Sequence, residues 1–134
     1  MIIIYTDGAY SSSRDQGGWA FVVLKDDVKI HLSFFSEEVT TNNRMEIRAV
    51  MEACKWAKVN GYNEITIISD SMYVIGTMTK NWKRKKNVDL WEEFDKIIKG
   101  MTVDFQHVKG HNGDKYNDLC DALAVEASHC TIKF

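Results

Sequence analysis

The sequence contains no proline, and it has neither an internal repeat nor a low-complexity linker. These absences leave no obvious boundary between folded units. At 134 residues with 45% hydrophobic side chains, the chain is long enough to build one core. A core of this size buries about 65–70% of the surface that the unfolded chain exposes. We therefore predict a single domain, residues 1–134.

Cysteine is scarce, and the three cysteines are an odd number: Cys54, Cys120 and Cys130. An odd count with no recognisable secretory leader predicts reduced thiols in the core rather than a disulfide framework. No apolar run approaches the roughly 18 residues of a membrane span, and the apolar N-terminus follows no basic segment. These features exclude a membrane protein and predict a soluble, unprocessed, cytoplasmic one.

Excess charge is also missing, because 17 basic residues face 19 acidic ones and the formal net charge is −2. The whole chain therefore lacks the electrostatic signature of a general nucleic-acid or membrane-surface binder, and any polyanion site must be local. Neither a phosphate-cradling glycine loop nor a nucleophile elbow is present, which disfavours an apolar-pocket enzyme.

What is present is an alternation of strand and helix patterns in the order βββαβααβα. Two β-rich runs joined at Lys25-Asp26-Asp27 predict a hairpin whose second arm, with apolar residues from Val28 and Ile30 onward, has one buried face at a sheet edge. Short buried strands followed by helices predict a parallel set, so the sheet should be mixed. The fold class is α/β. The remaining elements are expected at 1–5, 43–60, 64–69, 71–79, 88–100, 102–108 and 115–127.

Three acidic residues are expected to meet at one edge of this sheet. Asp7 and Asp70 each follow a predicted parallel strand, where ligands of such sheets bind. Glu46 lies on the helix stripe that faces the sheet. Three carboxylates in one place repel each other unless a cation joins them. Oxygen ligands without a Cys/His set at zinc spacing favour Mg²⁺ or Mn²⁺.

Each of these acids also has a structural alternative. Asp70 and Ser71 together match a helix cap. The spacing of Asn43 and Glu46 matches a capping box, in which Glu46 would bond to a backbone N–H instead of a metal.

Five ordered blocks carry a family resemblance: YTDGA, TTNNRMEIRA, SDSMYV, NVDLW and HVKGHNGDKYNDLCDALA. In this order and spacing the chain resembles ribonuclease H of type 1 from its first strand to its last helix. The resemblance implies a mixed five-stranded sheet flanked by helices. It also implies an endonuclease that hydrolyses the RNA strand of RNA–DNA hybrids by two-metal-ion catalysis, leaving 5′-phosphate and 3′-hydroxyl ends.

By the same resemblance, four acids would bind the metal ions and a histidine would assist. The implied ligands are Asp7, Glu46, Asp70 and Asp121, and the implied auxiliary residue is His111. Spacing alone leaves Asp121 undecided, because other acids lie nearby in the sequence: Asp114, Asp118 and Glu126. Two Mg²⁺ ions per site are expected, with Mn²⁺ as a substitute.

Hybrid recognition is expected to involve groups that touch 2′-hydroxyls and the minor groove. Asn42 and Asn43 stand in the matching block, and Met72 and Asn117 occupy positions that resemble hybrid-contacting ones. Each has a plain structural alternative: helix cap for Asn43, core filler for Met72 and surface residue for Asn117.

The chain departs from the family pattern in two places. The loop after Asp7 has no proline, so loop contacts to RNA cannot be carried over. The second departure is a shortened basic handle, reduced to KNWKRKKN. Trp82 and Lys83, with the other basic residues there, are predicted to hold the phosphates of the DNA strand. The alternative is a solvated charged loop.

Two other functions compete with this interpretation: a nuclease of the same fold that acts on DNA, and a hybrid-binding module without activity. The paired asparagines disfavour the first, and the full set of acids disfavours the second. The expected partner is an RNA–DNA hybrid, bound by a monomer without a membrane or a small-molecule cofactor.

Overall fold

The computed structural model describes residues 1–80, 82–109 and 113–130. It contains five strands and four helices in the predicted order βββαβααβα. The strands are β1 (Ile2–Ser11), β2 (Gln16–Lys25), β3 (Val28–Glu38), β4 (Glu64–Ser69) and β5 (Thr102–His107), and the helices are α1 (Asn42–Val59), α2 (Met72–Thr79), α3 (Val88–Ile97) and α4 (Lys115–His129).

The strands form one mixed sheet in the spatial order β3-β2-β1-β4-β5. Hairpin connections make β1, β2 and β3 antiparallel neighbours. The crossovers through α1 and through α2 and α3 make β4 parallel to β1 and β5 parallel to β4. The predicted α/β fold class, with an antiparallel hairpin and a parallel set, is confirmed.

Each face of the sheet is covered by a different group of helices. On one face, α1 and α3 enclose the larger core, in which Ile4, Ile67 and Trp91 are fully or almost fully buried. On the other face α4 packs over β1, β2 and β3, where Cys120 and Ala124 are inaccessible to solvent. Strand β1 is the central strand, and α1 and α4 pack against it from opposite faces of the sheet.

Several local expectations are wrong. Strand β1 continues to Ser11, so Asp7 lies within it rather than after it. Val28 and Ile30 are 62% and 44% exposed, because the start of β3 extends past the helices, and that arm is buried only further along. On the same strand, His31 stacks on Trp56 at 5.0 Å between ring centroids.

The cysteines are only partly as expected. Cys54 and Cys120 are buried free thiols on opposite faces of the sheet, as predicted, whereas Cys130 is exposed at the end of α4. In the described part of the chain, no helix combines the length and apolar character that a membrane crossing requires.

Candidate active site

Asp7 and Asp70 are brought together by the parallel pairing of β1 with β4. The ladder ends at the pair Thr6 and Ser69, and the two aspartates are the next residues on each strand. Strand β1 continues beside β2, but its parallel pairing with β4 stops at Thr6. Both aspartates therefore follow the end of the parallel ladder, although Asp7 does not follow the end of its strand. Adjacent strands lie about 4.8 Å apart, so side chains at this position are neighbours.

Glu46 reaches the same place because α1 lies directly against β1 at Gly8. A Cβ atom on Gly8 would lie 2.4 Å from the backbone nitrogen of Glu46 and 2.5 Å from the carbonyl carbon of Met45. Only glycine permits this approach. The N–H of Gly8 then donates a hydrogen bond to Oε1 of Glu46, which fixes the carboxylate beside Asp7.

One carboxylate oxygen from each of Asp7, Glu46 and Asp70 lies within 4.8 Å of the others. We call these three residues the acidic cluster. Asp7 and Glu46 are only 4% and 7% exposed, and Oδ2 of Asp7 is buried without a hydrogen-bond partner among the described residues. An acceptor oxygen left in this way is costly unless a cation or a donor from outside satisfies it.

The electrostatics of the acidic cluster favour a cation. Burial is the largest cause that raises the pKa of Asp7, followed by the charges of Glu46 and Asp70 and by hydrogen bonding to Glu46 and Asp121. Burial also raises the pKa of Glu46, although hydrogen bonds from the Gly8 N–H and from Ser71 partly oppose it. Without a positive charge, the cluster therefore retains protons that ordinary carboxylates release.

Asp121 approaches from the opposite face of the sheet, on α4. It is half-buried, and hydrogen bonding to it is the last of the causes that raise the pKa of Asp7, although its carboxylate is not one of the three that lie within 4.8 Å of one another. Helix α4 is positioned by Asp114, its N-cap, whose Oδ2 accepts a 3.2 Å hydrogen bond from the hydroxyl of Tyr5 in β1. Asp114 is thus occupied as a cap, and Asp118 is exposed, which leaves Asp121 as the acid of the early part of α4 that meets the cluster.

The structure does not show the capping roles that were considered for Glu46 and Asp70. Thr41 caps α1 by accepting from the N–H of Arg44, so Asn43 and Glu46 do not form a capping box. Ser71 caps α2 by accepting from the N–H of Val74, so Asp70 is not the cap residue.

The predicted substrate residues fall into two groups. Asn42, Asn43 and Met72 are exposed, the first two at the start of α1 and Met72 at the start of α2 directly after the cluster. None of them fills the structural role that was considered for it. Asn117 is instead 1% exposed, so the expectation that it lies on the surface is wrong. Its Oδ1 has no hydrogen-bond partner among the described residues, and it lies one turn before Asp121.

The short basic segment between α2 and α3, residues 80–86, is attached to the fold at two points. The ring of Trp82 lies on the backbone of α2, where a Cβ on Gly76 would come within 2.4 Å of it. The guanidinium of Arg84 lies 5.1 Å from the ring of Trp91 and forms a 2.5 Å ion pair with Asp95. Arg84 therefore helps to hold the segment against α3, and its predicted part in phosphate binding stays a prediction.

The lysines of the basic segment remain available to a partner. Lys80, Lys83, Lys85 and Lys86 are all exposed, and Trp82 is 45% exposed beside them. His111, the predicted auxiliary residue, lies outside the described residues, so its role stays a prediction.

Two residues that support the site were missed in the sequence. Gly8 admits α1 and donates to Glu46, and Ser71, besides capping α2, is among the groups whose hydrogen bonding lowers the pKa of Glu46. Each directly follows an acid of the cluster, and a glycine or serine at such a position is a signal for close backbone approach or capping.

Comparisons with known proteins agree with this geometry. Residues 1–129 match the family model for RNase H. A ribonuclease H from Thermoanaerobacter sp. is 41% identical over 140 aligned residues, which cover 94% of this chain and 88% of the relative. A ribonuclease H from Caldicellulosiruptor saccharolyticus is 37% identical over 137 residues, covering 92% of each chain.

Solved structures show the same fold. The N-terminal RNase H domain of a Mycobacterium tuberculosis protein superposes with a TM-score of 0.85 at 22% identity, covering 96% of this chain and 93% of that one. LC11-RNase H1, solved in complex with an RNA/DNA hybrid, has a TM-score of 0.79 at 21% identity, covering 95% and 99%. Fold, cluster and relatives together define an endonuclease of the hydrolase class. The chain belongs to the ribonuclease H family.

Proposed function

We propose that this chain hydrolyses the RNA strand of RNA–DNA hybrids by a two-metal-ion mechanism that leaves 5′-phosphate and 3′-hydroxyl ends. The observation that carries the proposal is the acidic cluster of Asp7, Glu46 and Asp70, whose oxygens lie within 4.8 Å of one another at the end of the parallel ladder. Membership of the ribonuclease H family and the hybrid bound by one solved neighbour support the choice of substrate.

The residues present suit hard divalent cations. The cluster offers only carboxylate oxygens, one of them buried without a partner among the described residues, and Asp121 stands beside Asp7. We propose Mg²⁺ as the natural ion, with Mn²⁺ as a substitute, held by Asp7, Glu46, Asp70 and Asp121. A pair of divalent ions held by these four residues would supply positive charge for activating a water molecule and for offsetting charge on the departing 3′ oxygen.

The protein's own groups keep the carboxylates in place. The Gly8 N–H holds Glu46 by a hydrogen bond, and hydrogen bonding to Ser71 is among the causes that lower the pKa of this carboxyl. Asp7 and Asp70 stand where the parallel pairing of β1 with β4 stops, so their spacing follows from the register of these two strands. No Ser or Cys nucleophile is required, because water attacks the phosphodiester. His111 would assist proton or product handling without binding metal.

We propose that the hybrid contacts exposed residues on two sides of the acidic cluster. Neither Asn42 nor Asn43 caps α1, so both exposed side chains are available to contact 2′-hydroxyls and the minor groove, which distinguish RNA from DNA. Met72 is 38% exposed next to Asp70. On the other side, Trp82 and Lys83 of the basic segment would contact the DNA strand. Asn117 is 1% exposed, so its contact with substrate stays a prediction that nothing in its surroundings supports.

The remaining features of the proposal concern the whole chain. We infer that residues 1–134 form one ribonuclease H domain that acts as a monomer in the cytoplasm. The two buried free thiols, Cys54 and Cys120, are consistent with a reducing compartment.

The proposal is tested by cleavage of three matched duplexes, namely RNA–DNA hybrid, double-stranded RNA and double-stranded DNA, with Mg²⁺, with Mn²⁺ and with chelator. Wild type is expected to cut only the RNA strand of the hybrid and only with metal. The cleavage rate of Asp70→Asn is expected to fall about 10³-fold or more, because the variant removes a carboxylate that is proposed to bind the metal ions. Each tenfold fall in rate corresponds to about 1.4 kcal/mol. Equal cutting by this variant would refute the site, and equal cutting of all three duplexes would refute the substrate. End-labelling of the products checks the 5′-phosphate.

A further inference from the structure

Val39 has a backbone conformation that does not suit its side chain. Among the residues that the structure describes, five other than glycine have positive φ. Four of them are Asp or Asn, the residues that tolerate this region best: Asp15, Asp26, Asp27 and Asn87. The fifth is Val39, at φ 49°. A β-branched residue in the left-handed region is a true outlier.

The path of the chain explains the left-handed turn but not the valine. Strand β3 ends at Glu38, and Thr40 must turn back so that its methyl group packs on Gly17 of β2 before Thr41 caps α1. The N–H of Val39 also donates a 3.3 Å hydrogen bond to the carbonyl of Asp15 in the turn between β1 and β2. Glycine or asparagine would make the same turn and the same hydrogen bond at less cost.

Packing within the protein does not offset the backbone strain at Val39, because this residue is 83% exposed. Single exposed apolar residues are ordinary, and Val59 at 85% is one example. A strained and exposed apolar residue is not ordinary. Strain of this kind persists at sites where it serves binding or catalysis. The compensating contact is therefore expected to come from outside the chain.

The position of Val39 near Asn42 in the chain indicates which partner its side chain contacts. It lies three residues before Asn42, a span of at most about 11 Å, or about three nucleotide steps of a duplex strand. It belongs to the same connection between β3 and α1 that leads into Asn42 and Asn43. We propose that Val39 is a substrate-contacting residue, whose side chain packs on the apolar face of a sugar in the hybrid beside the asparagines. This inference rests on the proposed function and adds a specificity-determining contact to it.

The test compares Val39→Gly and Val39→Asn, which suit the left-handed turn, with Val39→Ile, which keeps a β-branched apolar side chain. Steady-state cleavage of the hybrid is measured for each, together with the thermal midpoint. Val39→Gly and Val39→Asn are expected to raise KM about three- to tenfold with kcat within about twofold, because a contact made equally in ground and transition states is lost. Val39→Ile is expected to retain the wild-type KM.

Asp27→Gly is the matched control, because Asp27 also has positive φ and is exposed, but lies in the hairpin between β2 and β3 at the other end of these strands. It is expected to change neither KM nor kcat. The thermal midpoints of Val39→Gly and Val39→Asn are expected at or above that of the wild type, because the strain is relieved.

Three results would overturn the inference. An unchanged KM in both Val39→Gly and Val39→Asn would show that the side chain makes no contact with substrate. An equal loss in Val39→Ile, or a KM increase that follows a fall in thermal midpoint absent from Asp27→Gly, would show that it acts through local packing. The wild type and Asp70→Asn are assayed alongside. If the wild type does not cut the hybrid, the proposed function fails and this inference with it, whereas normal cutting with an unaffected Val39→Gly removes only the inference.

Discussion

The acidic cluster and the basic segment are built in opposite ways. Each carboxylate of the cluster is placed by regular structure: Asp7 lies within β1 where its parallel pairing with β4 stops, Asp70 follows β4, and Glu46 lies on α1 and accepts from the Gly8 N–H. The basic segment has no regular structure among its described residues, and its side chains Trp82 and Arg84 contact the rest of the fold. The difference suggests that chemistry depends on position to within an ångström, whereas phosphate binding depends mainly on local charge.

Apart from removal of a carboxylate itself, the largest effect on the cluster should come from a residue without a charge. Gly8→Ala places a Cβ 2.4 Å from the backbone of Glu46, so α1 must move away from β1. A displacement of about 1 Å in an active site costs about 100-fold in rate, and overpacking lowers the free energy of unfolding by about 1–3 kcal/mol. Single-turnover cleavage and urea unfolding measure the two effects. Ala9→Ser, in the same strand, is the control, and a wild-type rate in Gly8→Ala would contradict the placement argument.

The second prediction concerns pH and metal removal. The pKa values of Asp7 and Glu46 are raised in the folded state, so the folded protein keeps protons that the unfolded chain releases. Their contribution to the free energy of unfolding is therefore greatest in acid and is lost as the pH rises above about 4. In chelator, the free energy of unfolding of Asp7→Asn, taken relative to that of the wild type, should rise by at least about 1.4 kcal/mol between pH 4 and pH 8. This difference is the equivalent of one pKa unit.

Urea unfolding of both proteins across this pH range, with chelator and then with Mg²⁺, measures the difference. Magnesium should stabilise the wild type more than Asp7→Asn at pH 8, since a ligand stabilises the state that binds it. Parallel pH curves for the two proteins, or an equal response to Mg²⁺, would show that the cluster is not under electrostatic strain.

The third prediction tests the basic segment by charge alone. Replacing Lys83, Lys85 and Lys86 by Gln should weaken hybrid binding about tenfold near 0.1 M salt and leave kcat unchanged. The slope of log affinity against log salt should become less negative by about 2–3, because each lost phosphate contact contributes about 0.9 for a duplex. Lys96→Gln with Lys99→Gln, near the end of α3, is the control. A slope equal to that of the wild type would assign the lysines to a solvated loop.

The smallest effect is expected from the anchor of the basic segment. Asp95→Asn removes the ion pair with Arg84, in which the two side chains are 50% and 32% exposed. Such a pair contributes at most about 1 kcal/mol to stability. KM should rise about two- to threefold with kcat unchanged, because the segment is held less firmly while Arg84 keeps its contact with the Trp91 ring. Glu92→Gln in the same helix is the control. A loss larger than that of the lysine variant would mean that geometry, not charge, dominates this side as well.

The order of elements and the sheet class could be predicted because they follow from periodicity. Alternating and helical patterns predicted each of the nine elements that the described residues form, and the short connections left few ways to join the strands. The ends of elements were less predictable. The extension of β1 past Asp7 depends on pairing with β2, and the exposure of Val28 depends on how far the helices reach, so neither is a property of the local sequence.

Residue types alone predicted several parts of the site: carboxylates near the ends of paired strands, asparagines at the start of a helix, and a dense run of lysines. Contacts made only in the folded chain establish that Thr41 caps α1, that Arg84 pairs with Asp95, and that Asn117 is buried. They also establish that Gly8 lets α1 reach β1 and that Val39 turns left-handed without cover. The reason is physical: these properties belong to contacts between segments far apart in the chain, and local periodicity carries no information about which atoms finally meet.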